Sequence, residues 1–299
     1  FKLGAMCSGG ARFIIGEAAR YALQRRQFGR PIADFGAIRY KLAEMIVRQY
    51  AAESMLYRIA GLLDGSMAGR HDGDALLSAL EEYAIEASIV KVAASETLDY
   101  VVDENVQIHG GNGFVRDYDA ERHYRDARVN RIFEGTNEIN RLLIPGMLVK
   151  RASGRFAVEA GSRRPEDGRP DGESLDAMKT AARLVLSTAA EKFGDKFGEQ
   201  QFVLLPAADI LIDVFAADSA MARAKGNLHE AAATVFVNDA ADRVEVAART
   251  ALAAMLDGSE LESAVRTVRD MFNRRPVKTA HLRDELAAAA LTLGHYPFA

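Results

Sequence analysis

Apolar side chains recur at three- and four-residue steps through nearly the whole chain, and this period decides what it can fold into. Phe35, Ile38, Leu42, Met45, Ile46 and Tyr50 follow that spacing, which places them on one stripe of a helix that another helix must cover. Alternating runs of Val, Ile and Thr, the mark of half-buried strands, are almost absent, and only seven prolines interrupt 299 residues. Periodic segments fall near 4–27, 34–64, 73–108 and 137–150, with a short helix over 117–131 ahead of the last. Ser174 then reads as the cap of a new helix lined by Leu175, Met178, Ala182, Val185, Leu186 and Ala189. Helices near 199–225, 228–256, 259–272 and 278–293 complete the pattern. The expected fold is all-α: a four-helix bundle over 1–152, a linker over 153–173 and a second all-helical domain over 174–299. The linker rests on Gly154, Gly161, Gly168, Gly172, Pro165 and Pro170 among mixed charges, which leave little apolar surface to bury.

Composition excludes several classes of function. No apolar run approaches the ~20 residues that a membrane-spanning helix requires, and Phe1–Cys7 lacks the regions of a signal peptide. Cys7 is the only cysteine, so no internal disulfide is possible. A net charge of −4 argues against nucleic acid as a main partner, since neutralising its phosphates needs an extended basic face. None of the six histidines sits with Cys or acidic residues at metal-ligand spacing, so no metal is expected. The chain does not begin with Met and opens inside a helical pattern, which suggests a piece of a longer polypeptide.

Chemistry concentrates at Glu134. The apolar-basic stretch Tyr124–Phe133 precedes it, and Ile139, Leu142, Leu143 and Met147 resume a helical spacing after it, so this carboxylate occupies a short break between helices. Gly135 permits a tight turn there, and Thr136 or Asn137 can cap the next helix, whose unpaired N–H groups and positive dipole end face the break. A carboxylate held that way can serve as a base, although a surface cap has the same local pattern. Two further constellations stand out. Gln24–Arg30 delivers several cations where a helix is expected to end, at Gly29 and Pro31, and arginine forks suit paired phosphate oxygens. Gln107–Gly113 carries three glycines in four positions, a turn into which something can come close, and His109 within it reads equally as a structural histidine.

Taken together, Gln24-Arg-Arg-Gln-Phe-Gly29, Gln107-Ile-His-Gly-Gly-Asn-Gly-Phe114 and Ile132-Phe-Glu-Gly-Thr-Asn-Glu-Ile139 resemble the acyl-CoA dehydrogenases, with residues 1–152 as the C-terminal helical bundle of the flavoenzyme. Asp34-Phe35-Gly36, Lys41–Met45, Glu53-Ser-Met55, Glu199–Leu205 and Tyr296-Pro-Phe298 look most like the very-long-chain branch, which carries an added C-terminal helical domain. The resemblance implies FAD as cofactor and acyl-CoA as substrate. Glu134 matches the base that takes the α-proton of the thioester, as a hydride leaves the β-carbon for the flavin. Phe133 and Gly135 would lie at the substrate, whose carbonyl the Glu134 N–H would help polarise. Arg25 and Gln27 match contacts to the FAD pyrophosphate, usually reaching a neighbouring subunit, which implies a homodimer. Phe28, Phe35 and Gly36 match adjoining cofactor contacts. Gln107, Ile108, His109, Gly110 and Gly111 match the turn on the adenosine half, and Thr136, Asn137 and Glu138 match positions near the flavin phosphates. Gln27 stands where Thr is common, and Gly36 where Gln is common.

The resemblance further implies electron-transfer flavoprotein as acceptor and a role in fatty acid β-oxidation, in a bacterial cytoplasm or, for a eukaryotic chain, in mitochondria. The N-terminal helical and β domains of such enzymes have no counterpart here, so activity would belong to the longer polypeptide. A respiratory-complex assembly factor and an acyl-CoA oxidase are the alternatives. Residues 174–299 read as a docking domain without chemistry, because Phe202–Leu205, Ile210–Ile212, Val214 and Phe215 make one helix apolar on nearly every side. Peripheral contact with the inner membrane and packing against the first domain are the two readings of that helix.

Overall fold

The computed structural model describes residues 1–67, 69–70, 72–152 and 170–298, so residues 153–169 of the expected linker lie outside the described residues. Eleven α-helices, four short 3₁₀ helices and one small hairpin make up the regular structure among them. In the first block α1 (Lys2–Gln24), α2 (Gly36–Met67), α4 (Ala84–His109) and α6 (Asn137–Arg151) form the bundle, with α3 (Gly73–Glu82) and α5 (Ala120–Ala127) at its ends. Helix α4 is its axis and packs on α1, α2 and α6. Small residues let α1 lie close to it: a Cβ at Gly4 would come within 2.5 Å of Val90 Cγ1. The second block holds α7 (Pro170–Phe193), α8 (Gln201–Arg223), α9 (Asn227–Ala253), α10 (Gly258–Met271) and α11 (Ala280–Leu293).

Three local expectations are corrected. The first helix ends at Gln24, not Gly29, and β1 (Arg26–Gln27) pairs antiparallel with β2 (Arg30–Pro31). Phe28 and Gly29 both have positive φ, at 50° and 83°, as a two-residue hairpin loop between right-twisted strands requires. The segment 73–108 is two helices, for Tyr83 at φ −101° and ψ 26° interrupts the ladder between α3 and α4. The helix that Ser174 was expected to cap starts at Pro170, so residues 170–173 belong to a helical first turn rather than to the linker. Proline fits there because its missing N–H would have no partner, and Ser174 itself is buried.

The two blocks share one apolar core, which runs from Ile15, Leu42 and Ile46 to Met178, Leu204 and Val237. Helix α8 lies between α2, α6, α7 and α9. Val203, Leu204 and Ile210 are fully buried and Leu211, Ile212, Val214 and Phe215 pack partly against the core, while Phe202 is 87% exposed. Most of the apolar excess of α8 is therefore packing, as the second reading of that helix expected, with Phe202 the exception. No helix among the described residues is long and apolar enough to cross a membrane. Ion pairs also cross between the blocks: Arg223–Glu53 at 2.7 Å, Arg58–Asp218 at 2.6 Å, Arg141–Asp209 at 2.7 Å and Arg283–Glu44 at 3.0 Å.

The chain end closes the same seam. Phe298 packs on Tyr50 of α2 and His229 of α9, each with ring centroids 4.7 Å away, and His229 Nδ1 lies 3.2 Å from the Tyr50 hydroxyl. Burial lowers the His229 pKa from its ordinary 6.5, with the Arg223 cation acting in the same sense. A histidine lowered on folding adds stability that is present above its unfolded pKa and is lost as pH falls through the folded one. Thermal unfolding is therefore expected to move to lower temperature as pH drops below about 6.5, before the carboxylates titrate. His229→Gln should flatten that limb; an unchanged slope would exclude His229 as its source.

Candidate functional site

Glu134 lies in the expected break, between α6 and a short 3₁₀ turn over Arg128–Arg131. Its φ is 57°, and Phe28 and Glu134 are the two non-glycine residues with positive φ among those described. A left-handed conformation costs a residue with a Cβ roughly 1–2 kcal/mol and persists only where surrounding contacts impose it. Those contacts are on hand. Lys91 Nζ of α4 donates to the Gly135 carbonyl at 2.7 Å and to Asn137 Oδ1 at 2.7 Å. Asn140 Nδ2 donates to the carbonyls of Gly135 at 2.9 Å and Thr136 at 3.1 Å. Gly135, at φ 75°, continues the turn, and a Cβ there would press on Asn140 Nδ2 at 3.1 Å.

Of the two proposed caps, Thr136 is the one used, its hydroxyl accepting from the Ile139 N–H at 3.3 Å. Asn137 is buried, with its side-chain amide bonded to Lys91, Ser95 and Glu96, so that side chain braces the turn. Glu138 is exposed in the first turn of α6. Its own N–H and the Thr136 hydroxyl hold its carboxyl below the usual range. Burial lowers the Lys91 pKa, opposed by Cys7 and by the carboxylates of Glu138, Glu96 and Glu134. None of these bonds uses the Glu134 N–H, and the Glu134 side chain stands at the surface beside exposed Ile132, Phe133 and Ile139. The arrangement presents a carboxylate, a backbone donor and an apolar margin on one rigid turn.

The other expected site residues gather elsewhere. Tyr21 near the end of α1 donates its hydroxyl to the His109 carbonyl at 3.1 Å, which sets the hairpin beside the glycine turn at the end of α4. Arg25, Gln27, Phe28 and Gly36 are exposed there, with Gln107, Gly110 and Gly111. Phe35 is half-buried under the Arg30 guanidinium, 4.2 Å from its ring centroid. Ile108 and His109 point inward: His109 stacks on Tyr21 at 3.8 Å and bonds to the Asn105 carbonyl at 2.8 Å. Their side chains belong to the core, which leaves the Gln107 side chain and the backbone of that turn at the surface. His109 lies eighteen residues beyond Lys91 on α4, about 27 Å at the rise of a helix. One chain thus carries the candidate residues in two separated groups. A cleft of about 690 Å³ between the blocks, lined by Glu96, Arg141, Asp209 and Arg243 among others, holds none of the residues expected to meet substrate or cofactor. Among the described residues no group of three or more His, Cys, Asp or Glu could hold a metal ion.

Residues 1–149 match a family model described as acyl-CoA dehydrogenase, C-terminal domain, and residues 177–270 match a second model of the same description. The chain belongs to the acyl-CoA dehydrogenase family. It is 36% identical over 328 aligned positions to a protein named probable acyl-CoA dehydrogenase from Bacillus subtilis, an alignment covering 99% of this chain and 55% of that one. It is 32% identical over 263 positions to the human very long-chain specific acyl-CoA dehydrogenase, covering 77% of this chain and 38% of the relative. A crystal structure of an acyl-CoA dehydrogenase complexed with FAD from Bacillus anthracis superposes with a TM-score of 0.92 at 35% identity, over 99% of this chain and 55% of that one. The chain spans about half the length of the first of these relatives and less of the human one. The all-α expectation and the family resemblance are borne out, and the match beyond residue 177 extends it into the second block.

Proposed function

We propose that this chain is the base-carrying helical portion of an FAD-dependent acyl-CoA dehydrogenase, which converts a long-chain or very-long-chain acyl-CoA to the trans-2-enoyl-CoA in fatty acid β-oxidation. The observation that carries the reading is the Glu134–Gly135 turn, where a carboxylate is held at positive φ by Lys91 and Asn140. Such strain is kept where geometry matters to function. Glu134 would take the α-proton, and its N–H, which none of the bonds named above uses, would stabilise the oxygen on which enolate charge develops. The exposed Ile132, Phe133 and Ile139 would exclude water once an acyl chain lay over them.

The residues present fit the cofactor. Arg25 and Arg30 offer exposed guanidinium groups for phosphate oxygens beside a turn in which Gly110 has no heavy atom within 4 Å of a Cβ position. Bound FAD would accept the hydride that leaves as the proton is taken. Because the arginine end and the Glu134 end lie about 27 Å apart along α4, a homodimer in which each bundle serves its partner's cofactor accounts for both. Electron-transfer flavoprotein is the proposed acceptor.

Palmitoyl-CoA added anaerobically to the FAD-loaded full-length protein is expected to bleach the flavin. A flavin that stays oxidised would point to a scaffold, and rapid consumption of oxygen on admission of air to an oxidase. Arg25→Ala is expected to weaken FAD retention and dimerisation together. A flavin-saturated monomer in gel filtration would refute the shared site.

A further inference from the structure

The turn that carries Glu134 is tied to the second helical block by an unbroken series of side-chain bonds. Asn137, whose Oδ1 accepts from Lys91, donates Nδ2 to Glu96 Oε1 at 3.1 Å. Both oxygens of Glu96 are taken by the Arg141 guanidinium in a fork, at 2.6 and 2.8 Å. Arg141 Nε reaches Asp209 Oδ1 of α8 at 2.7 Å. Lys91, Ser95 and Glu96 face the turn from α4, and Arg141 follows Asn137 by four residues on α6, so three helices meet along this line. Planar forks fix direction as well as distance. Without Asp209 the guanidinium has lost one of its two anchors, and Glu96 can swing with it.

Arg141 is the more enclosed partner of this pair, its side chain 17% exposed against 48% for Asp209. Desolvation pushes the Asp209 carboxyl up and Arg141 draws it back only in part, whereas Arg141, disfavoured by the same burial, is held above the arginine range by Glu96 and Asp209.

We propose that the second helical block holds the Glu134–Gly135 turn in place through Asp209, Arg141, Glu96 and Asn137, which makes Asp209 and Arg141 positioning residues for the reaction proposed above. Asp218 of α8 supplies the control. It joins the same helix to Arg58 of α2 at 2.6 Å and to Lys179 of α7 at 2.5 Å, with no bond to the turn. The test compares Asp209→Leu with Asp218→Leu by hydrogen exchange of a peptide spanning residues 133–140. Asp209→Leu should speed exchange about 3- to 30-fold, the range of coupling through packed networks. Asp218→Leu should leave that peptide unchanged, and Asp209→Glu should restore protection. Equal effects of the two leucine variants, or none from Asp209→Leu, would overturn the proposal.

In the FAD-loaded protein Asp209→Leu should also lower kcat with KM unchanged. A parent protein that fails to reduce flavin would refute the functional reading alone, since exchange at the turn decides the positioning role without activity.

Discussion

Glu134→Gln is expected to lower the rate of flavin reduction by acyl-CoA by about 10²–10⁴-fold, the usual contribution of a positioned general base. Binding of FAD and of acyl-CoA should survive. The amide has the shape of the carboxylate, and the turn is built from the backbone carbonyls of Gly135 and Thr136 bonded to Lys91 and Asn140, none of which involves the Glu134 side chain. The variant therefore isolates proton abstraction from folding. Stopped-flow reduction under anaerobic conditions, with ligand affinity measured separately, reads both quantities. Reduction at the parent rate would remove Glu134 from the mechanism. Glu138 would not be an immediate substitute, because it is fixed in the first turn of α6 by its own N–H and the Thr136 hydroxyl.

What could be read in the sequence follows from which interactions are local. Helix period is local, so the long helices fell within a few residues of their observed ends. The break at Glu134 was legible for the same reason, as Gly135 and Thr136 are a turn residue and a cap in the right order. The hairpin at Phe28-Gly29 was not, because its loop lacks the Asn or Asp that usually announces two positive φ values. Tyr83 interrupts 73–108 with neither Gly nor Pro to mark the stop. The brace of the turn was also missed, although one signal was available. Lys91 stands in the otherwise apolar run Ile89-Val-Lys-Val-Ala-Ala94, and a buried lysine needs partners. Which partners it finds is a matter of how α4 and α6 meet, and no local pattern records that. The division into two domains was read from composition, whereas the shared core depends on contacts between residues more than a hundred positions apart.

Glu53→Leu tests that shared core most severely, with an expected loss of about 3 kcal/mol in unfolding free energy, at the lower end of what breaking a buried ion pair costs. Glu53 is 2% exposed on α2 and gathers groups from three parts of the chain. Arg223 at the end of α8 donates to it at 2.7 Å, the Tyr296 hydroxyl near the chain end at 3.3 Å, and Arg12 of α1 approaches to 3.3 Å. Leucine keeps most of the volume and none of the acceptors, so two guanidinium groups and a phenol lose their common partner. Both arginines keep some contact with water, which is why the cost stays near the lower limit. Burial, with Glu53 acting in the same sense, holds Tyr296 well above the usual tyrosine range, so the phenol stays protonated and cannot replace the lost anion. If the blocks unfold as one unit, urea denaturation of Glu53→Leu should remain a single transition at lower midpoint. Arg223→Met combined with Glu53→Leu should recover part of the loss, because the nearer of the two cations left without their anion is then removed and Arg12, 34% exposed, keeps its water. A separate early transition for the second block, or a loss below about 1 kcal/mol for Glu53→Leu, would show that the seam contributes no more than a surface pair.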